Sequence, residues 1–171
     1  MTSLNDQVGP LIPAMRRYAR ALLHDVTAAD DLVQDALEKA ISRWHQRRDD
    51  AGTRAWLFAI VHNLAINRMR QAKRRGPHVE MDDAPPASLS HPADQEDGLR
   101  HADLVRYVDA LAEDQRTVLL LIAVEGLSYA EAAKVLAIPA GTVMSRLSRA
   151  REKLMSTMDK PVTAPYLRRV K

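Results

Sequence analysis

Asn63, Asn67, Arg70 and Arg74 fall at offsets of 0, 4, 7 and 11 along the chain. On an α-helix those offsets form one stripe. Amide side chains can read base edges, and guanidinium groups hold phosphate oxygens. Asparagine competes with the backbone for hydrogen bonds inside a helix, so two on one stripe call for a reason. The plain alternative is a solvated face whose basic end suits the helix dipole, and residue types alone leave both open. Trp56, just upstream, could stack on an unpaired base. It also keeps step with Ile60 and Leu64, which points to a core position.

A second candidate stripe lies near the other end. Ser145, Ser148 or Arg149, and Glu152 would share one face, flanked by Arg146, Arg151 and Lys153. Arginine pairs bidentately with guanine, and serine serves base or phosphate. A third stripe is acidic, with Asp31, Gln34, Asp35 and Glu38. It is either solubilising surface or, in a DNA-binding protein, a face turned to a basic protein partner, since it repels DNA.

Other chemistries lack their residues. There is no cysteine, which removes disulfides, thiolate metal sites and a cysteine nucleophile. The histidines at 24, 45, 62, 78, 91 and 101 show no metal-ligand spacing. Neither a Gly-x-Ser-x-Gly elbow nor a Gly-x-x-x-x-Gly-Lys phosphate loop occurs. The reading is therefore a non-enzyme with no catalytic residue, no metal and no cofactor.

The elements that must position these stripes are all helical. Leu11, Met15, Ala19 and Leu22 predict one helix, with Pro10 and Pro13 in its first turn. Thr27 and Asp30 resemble a capping box opening a second helix lined by Val33, Ala36 or Leu37, Ala40 and Trp44. A third begins near Thr53, carries Trp56, Ile60 and Leu64 inward, with Leu57 and Val61 as further candidates for that face, and ends in Arg74 and Arg75. In the C-terminal part, Leu104–Leu111 predicts a short helix. Asp114 can cap a second over Gln115–Val124, whose all-round apolar run implies burial. Gly126 suits its C-cap, and Ser128 to Glu131 is a capping box for a third. Ile138 to Gly141 is a turn, and a last helix runs toward Met158 on a seam of Val143, Leu147, Ala150 and Leu154. A capped short helix, a tight turn and an arginine-studded helix describe a helix-turn-helix; a generic helical hairpin is the alternative.

Between these parts, Gly76 to Gly98 holds four prolines and few large apolar groups. The charge divides likewise, at net +5 for residues 1–75, −6 for 76–103 and +4 for 104–171. Of the 171 residues, 46% are hydrophobic and only 4% aromatic, so cores must be largely aliphatic. No apolar run approaches the ~18 residues of a membrane span, and the polar N-terminus lacks signal-peptide features; a cytoplasmic protein without membrane contact of its own is expected. The fold class is thus all-α, with two small helical domains, 1–75 and 103–158, joined by an acidic Pro-rich linker, 76–102, and followed by a basic tail, 159–171. The tether implies mobile domains when unbound; a compact arrangement would need a partner or an interface between them.

At this point the residues resemble a family. Ser128 to Ala133 and Pro139 to Arg151 resemble the promoter-recognition helix-turn-helix of bacterial extracytoplasmic-function (ECF) sigma factors. Asp30 to Asp35 resembles that family's core-polymerase-binding helix, and Ala55 to Ala65 its promoter-melting, minus-ten-reading segment. The resemblance implies an alternative sigma factor that binds core RNA polymerase and promoter DNA and initiates transcription. It implies that Asp31, Leu32, Gln34 and Asp35 dock on polymerase. The loop Asp49 to Arg54, with Trp56 and Asn63, would capture an unpaired minus-ten base, and Asn67, Arg70 and Arg74 would hold the strand. Ser145, Arg146, Ser148 and Arg149 would read the minus-thirty-five element, with Arg116 and Arg151 on phosphates. It further implies an anti-sigma partner, and a linker threading the polymerase cleft. Two departures are Met144 and Ser148, where relatives carry polar or larger residues. A sigma-like decoy, which binds an anti-sigma factor and never touches DNA, should lack the arginines present here.

Overall fold

The computed structural model describes residues 4–46, 52–75 and 95–158, and every regular element among them is helical. A short α1 (Leu4–Val8) and a 3-10 turn (Gly9–Leu11) lead into α2 (Ile12–Leu23). Helices α3 (Val26–Ser42) and α4 (Thr53–Arg75) complete an N-terminal bundle in which α2, α3 and α4 pack pairwise. The C-terminal domain holds α5 (Gln95–Asp109), α6 (Glu113–Leu119), α7 (Tyr129–Leu136) and α8 (Ala140–Met158). There α8 packs on α5, α6 and α7.

Most expected elements form, with informative shifts. The cap of α3 is Asp25, whose carboxylate accepts from the Ala28 amide at 2.8 Å. Thr27 lies inside the helix, and Asp30 pairs with Arg20 at 3.0 Å instead of capping. Asp25 wins because it sits in extended backbone immediately before the first turn. Helix α5 starts at Gln95, inside the stretch expected to be linker; after Pro92 the residues Gln, Glu, Leu and Arg are good helix formers. The rest of that linker, 76–94, and the tail from 159 lie outside the described residues, as do Asp49 to Ala51 of the loop.

The core of the N-terminal domain is centred on Tyr18 and Phe58, edge to face at 5.5 Å between ring centroids, with Met15, Leu22, Leu32, Leu57 and Val61. On α4 the fully buried positions are Leu57, Phe58, Val61 and Ala65, while Trp56, Ile60 and Leu64 pack at its margin. The buried face thus centres on Leu57 and Val61, the further candidates, and is wider than the Trp56, Ile60 and Leu64 row, because α4 is covered on two sides. Helices α2 and α3 cover one side, and α7 of the C-terminal domain covers another. The two domains are therefore packed together, with an interface that the patterning of neither domain announces.

Candidate nucleic-acid and polymerase interfaces

Helix α8 is held as a helix-turn-helix requires. The hydroxyl of Ser128 accepts from the Glu131 amide, and the Glu131 carboxylate accepts from the Ser128 amide and hydroxyl, both at 2.8 Å. Those two donors, the backbone amide first, hold the Glu131 carboxyl below its usual range. Ala137 ends α7 in left-handed backbone, φ 52°, and Pro139 leads into α8. Val143, Leu147 and Ala150 bury the inner seam, as the spacing predicts, and Leu154 is half-buried. Outward stand Met144, Ser145, Ser148, Arg149 and Arg151, all exposed. Arg146 is half-buried, and its Nε lies 3.3 Å from Asp114.

Arg116 does not join this surface. It is only 8% exposed and donates to the Asp109 carbonyl at 3.2 Å, joining α6 to the end of α5. Arg116 stands at the start of the buried stretch Arg116–Leu121 and is drawn in with it, its guanidinium turned to a helix end rather than to solvent. The phosphate contact expected of Arg116 has little side chain left to make it.

On α4, Asn63, Asn67, Arg70 and Arg74 are all exposed on one stripe. Trp56 is half-buried and meets Trp44 edge to face at 6.2 Å. It is anchored in the core margin while part of its ring faces out. The stripe is fixed in rotation by Tyr18, whose hydroxyl lies 3.1 Å from His62 Nδ1. Burial pushes the His62 pKa down to about 4, opposed by nearby Glu113 and aided by Arg70.

On α3, Asp31, Gln34 and Asp35 are exposed, whereas Leu32 is fully buried beside Val33. Leu32 is a core residue, not a docking one, since its offset from Ala29 and Ala36 puts it on the inner face. Asp35 is already engaged, accepting from Arg68 at 2.6 Å, while a second Arg68 nitrogen donates to the Ala28 carbonyl at 2.8 Å.

Tyr18, His62 and a charged group at the domain interface were missed by sequence reasoning. Glu125, the residue before Gly126, is buried; Arg17 of α2 donates to its two oxygens at 2.8 and 2.6 Å, and Arg54 of α4 donates to its carbonyl. One available signal was an acid at a helix C-terminus, against the dipole. For Tyr18 the signal was its three-residue step from Met15. Among the described residues, no cluster of three or more His, Asp or Glu could hold a metal, and no helix is long and apolar enough to cross a membrane.

Comparison with known proteins agrees with this geometry. Residues 8–62 match the sigma2 domain of PhyR, and residues 101–154 match sigma-70 region 4. The chain is 33% identical to the ECF RNA polymerase sigma factor EcfG of Rhodopseudomonas palustris, over 91% of this chain and 85% of that one. It is 36% identical to the ECF sigma factor SigC of Mycobacterium tuberculosis, over 80% and 73%. The sigma factor RpoE of Bartonella quintana, solved with the anti-sigma factor NepR, superposes with a TM-score of 0.72 at 31% identity, covering 91% of this chain and 98% of that one. The complex of PhyRSL with NepR from Sphingomonas sp. Fr1, at 22% identity and a TM-score of 0.63, shares the fold. Two helical domains with outward basic faces, matched in order over nine-tenths of this chain at one-third identity to an ECF sigma factor, make this chain a member of the ECF RNA polymerase sigma factors.

Proposed function

We propose that the chain docks on core RNA polymerase through Asp31, Gln34 and Asp35 of α3 and directs it to promoters read by two surfaces. Asn63, Asn67, Arg70 and Arg74, with the exposed part of Trp56, take the minus-ten element. Ser145, Arg146, Ser148, Arg149 and Arg151 take the minus-thirty-five element in the major groove. The observation that carries this reading is that both polar stripes are presented outward on long helices whose opposite faces are buried. Exposing a base costs a few kcal/mol of stacking. Capture of unpaired bases, with binding lent by polymerase, offsets that cost, so the chain contributes binding rather than catalysis. It works in the cytoplasm, and by analogy with RpoE and CnrH, solved with NepR and CnrY, it has an anti-sigma partner.

A decoy that binds an anti-sigma factor without touching DNA draws support from the match of residues 8–62 to the sigma2 domain of PhyR, which has been solved as an anti-anti-sigma factor in complex with NepR. The exposed Arg70, Arg74, Arg149 and Arg151 weigh against it. Transcription in vitro with purified core enzyme and promoters of the native genome decides between the two: opening of at least one promoter is expected, and none would favour the decoy.

Arg149→Ala tests the minus-thirty-five surface. Loss of a bidentate base contact costs about 1–3 kcal/mol of discrimination. Binding of an intact over a base-substituted element, measured by fluorescence anisotropy, should lose about five- to 150-fold of its preference. An unchanged ratio would place base reading elsewhere.

A further inference from the structure

The contact of α7 with α4 fixes how far apart the two reading surfaces can stand. Helix α8 packs on α7, which packs on α4. Two interaxial steps of about 8–10 Å each place α8 within about 20 Å of α4. At about 1.5 Å per residue the reading stripes, Asn63–Arg74 on α4 and Ser145–Arg151 on α8, run only about 17 and about 9 Å along their helices. Elements centred near −10 and −35 lie about 25 base pairs apart, or about 85 Å at about 3.4 Å per base pair. This arrangement cannot engage both. Yet both stripes remain exposed, so closure fixes their separation without masking the bases.

What holds the closed form is specific. The Glu125 carboxylate is 1% exposed and takes two hydrogen bonds from Arg17, in the other domain and 108 residues away. Arg54 donates to the same residue's carbonyl. Looser pairs, His24 with Asp109 at 3.8 Å and Lys73 with Glu113 at 3.6 Å, lie at the rim. The backbone is shaped for this. Leu120–Val124 forms a π-helical turn, the Glu125 amide reaches back five residues to the Leu120 carbonyl, and Gly126 reverses the chain at φ 67°. π-turns are rare and concentrate at functional sites. Local rules disfavour an acid at a helix C-terminus, so Glu125 is explained by its partners across the interface rather than by its own helix.

Resting on the promoter reading above, we propose that Glu125 is the latch of a closed resting form. Clasped by Arg17 and Arg54, it holds the helix-turn-helix domain on the N-terminal domain, and the clasp must break before one molecule can span a promoter.

The chain has no cysteine, so Ser42→Cys and Ser156→Cys, at exposed positions on α3 and α8, allow spin labels without background. Pulsed electron resonance on the full chain should give a short distance when free and a long one in the holoenzyme on promoter DNA. Glu125→Gln, and separately Arg17→Ala from the more exposed side, should lower the closed-to-open ratio about tenfold or more, while binding to a minus-thirty-five duplex alone stays unchanged. Arg17→Ala answers if Glu125→Gln fails to fold by circular dichroism. A long distance in the free wild type, a short one on the promoter, or an unmoved distance in the folded variants would overturn the latch. The free-protein distances need no polymerase, so failure of the latch is told apart from failure to open any promoter.

Discussion

Phe58→Ala is expected to destabilise the protein by about 3–5 kcal/mol, the range for emptying a buried aromatic site. The ring is fully buried on α4, edge to face with Tyr18, so truncation loses both its apolar area and that pairing. α4 meets α2, α3 and α7, which leaves little freedom for collapse into the cavity. Urea unfolding followed by circular dichroism reads the loss. A change under about 1 kcal/mol, the ordinary size for a surface site, would mean that Tyr18 and Phe58 are not the centre of this core.

His62 should make stability fall in mild acid. Its folded pKa, about 4, lies below the usual 6.5, chiefly because burial penalises the charged ring. The folded state therefore binds fewer protons than the unfolded chain between those values. Stability rises with pH wherever the unfolded state holds more protons. The contribution is fully present above about pH 6.5, is lost as pH falls through the window, and levels off below about 4. A shift of that size corresponds to about 3 kcal/mol. His62→Asn, which keeps a partner for the Tyr18 hydroxyl, should flatten the profile of denaturation midpoint between pH 7 and pH 4. An equally steep profile in the variant would assign the dependence to other groups.

What could be read from residue order alone follows from the range of the forces involved. The Ser128 capping box, the Gly126 cap, the α8 seam and the outward stripe on α4 all depend on neighbours within a turn or two, and all stand where the spacing puts them. Leu32 and Arg116 were expected at partner-facing surfaces and are buried, because the width of a buried face depends on how many helices cover it. The width of the inner face of α4, which takes in Phe58 and Ala65 beside Leu57 and Val61, has the same origin. Glu125 was invisible as a site because its partners, Arg17 and Arg54, lie more than seventy residues away. Only a departure from local preference marked it.

The π-turn gives that clasp an evolutionary fragility. Deleting one residue from Leu120–Val124 would restore ordinary α-helical winding and swing the following side chain by about 100°, off its arginine partners. A lineage could thus retire the clasp through a single lost codon, leaving every base-reading residue intact. Descendants that differ in how readily they leave the dormant form need not differ in the promoters they recognise.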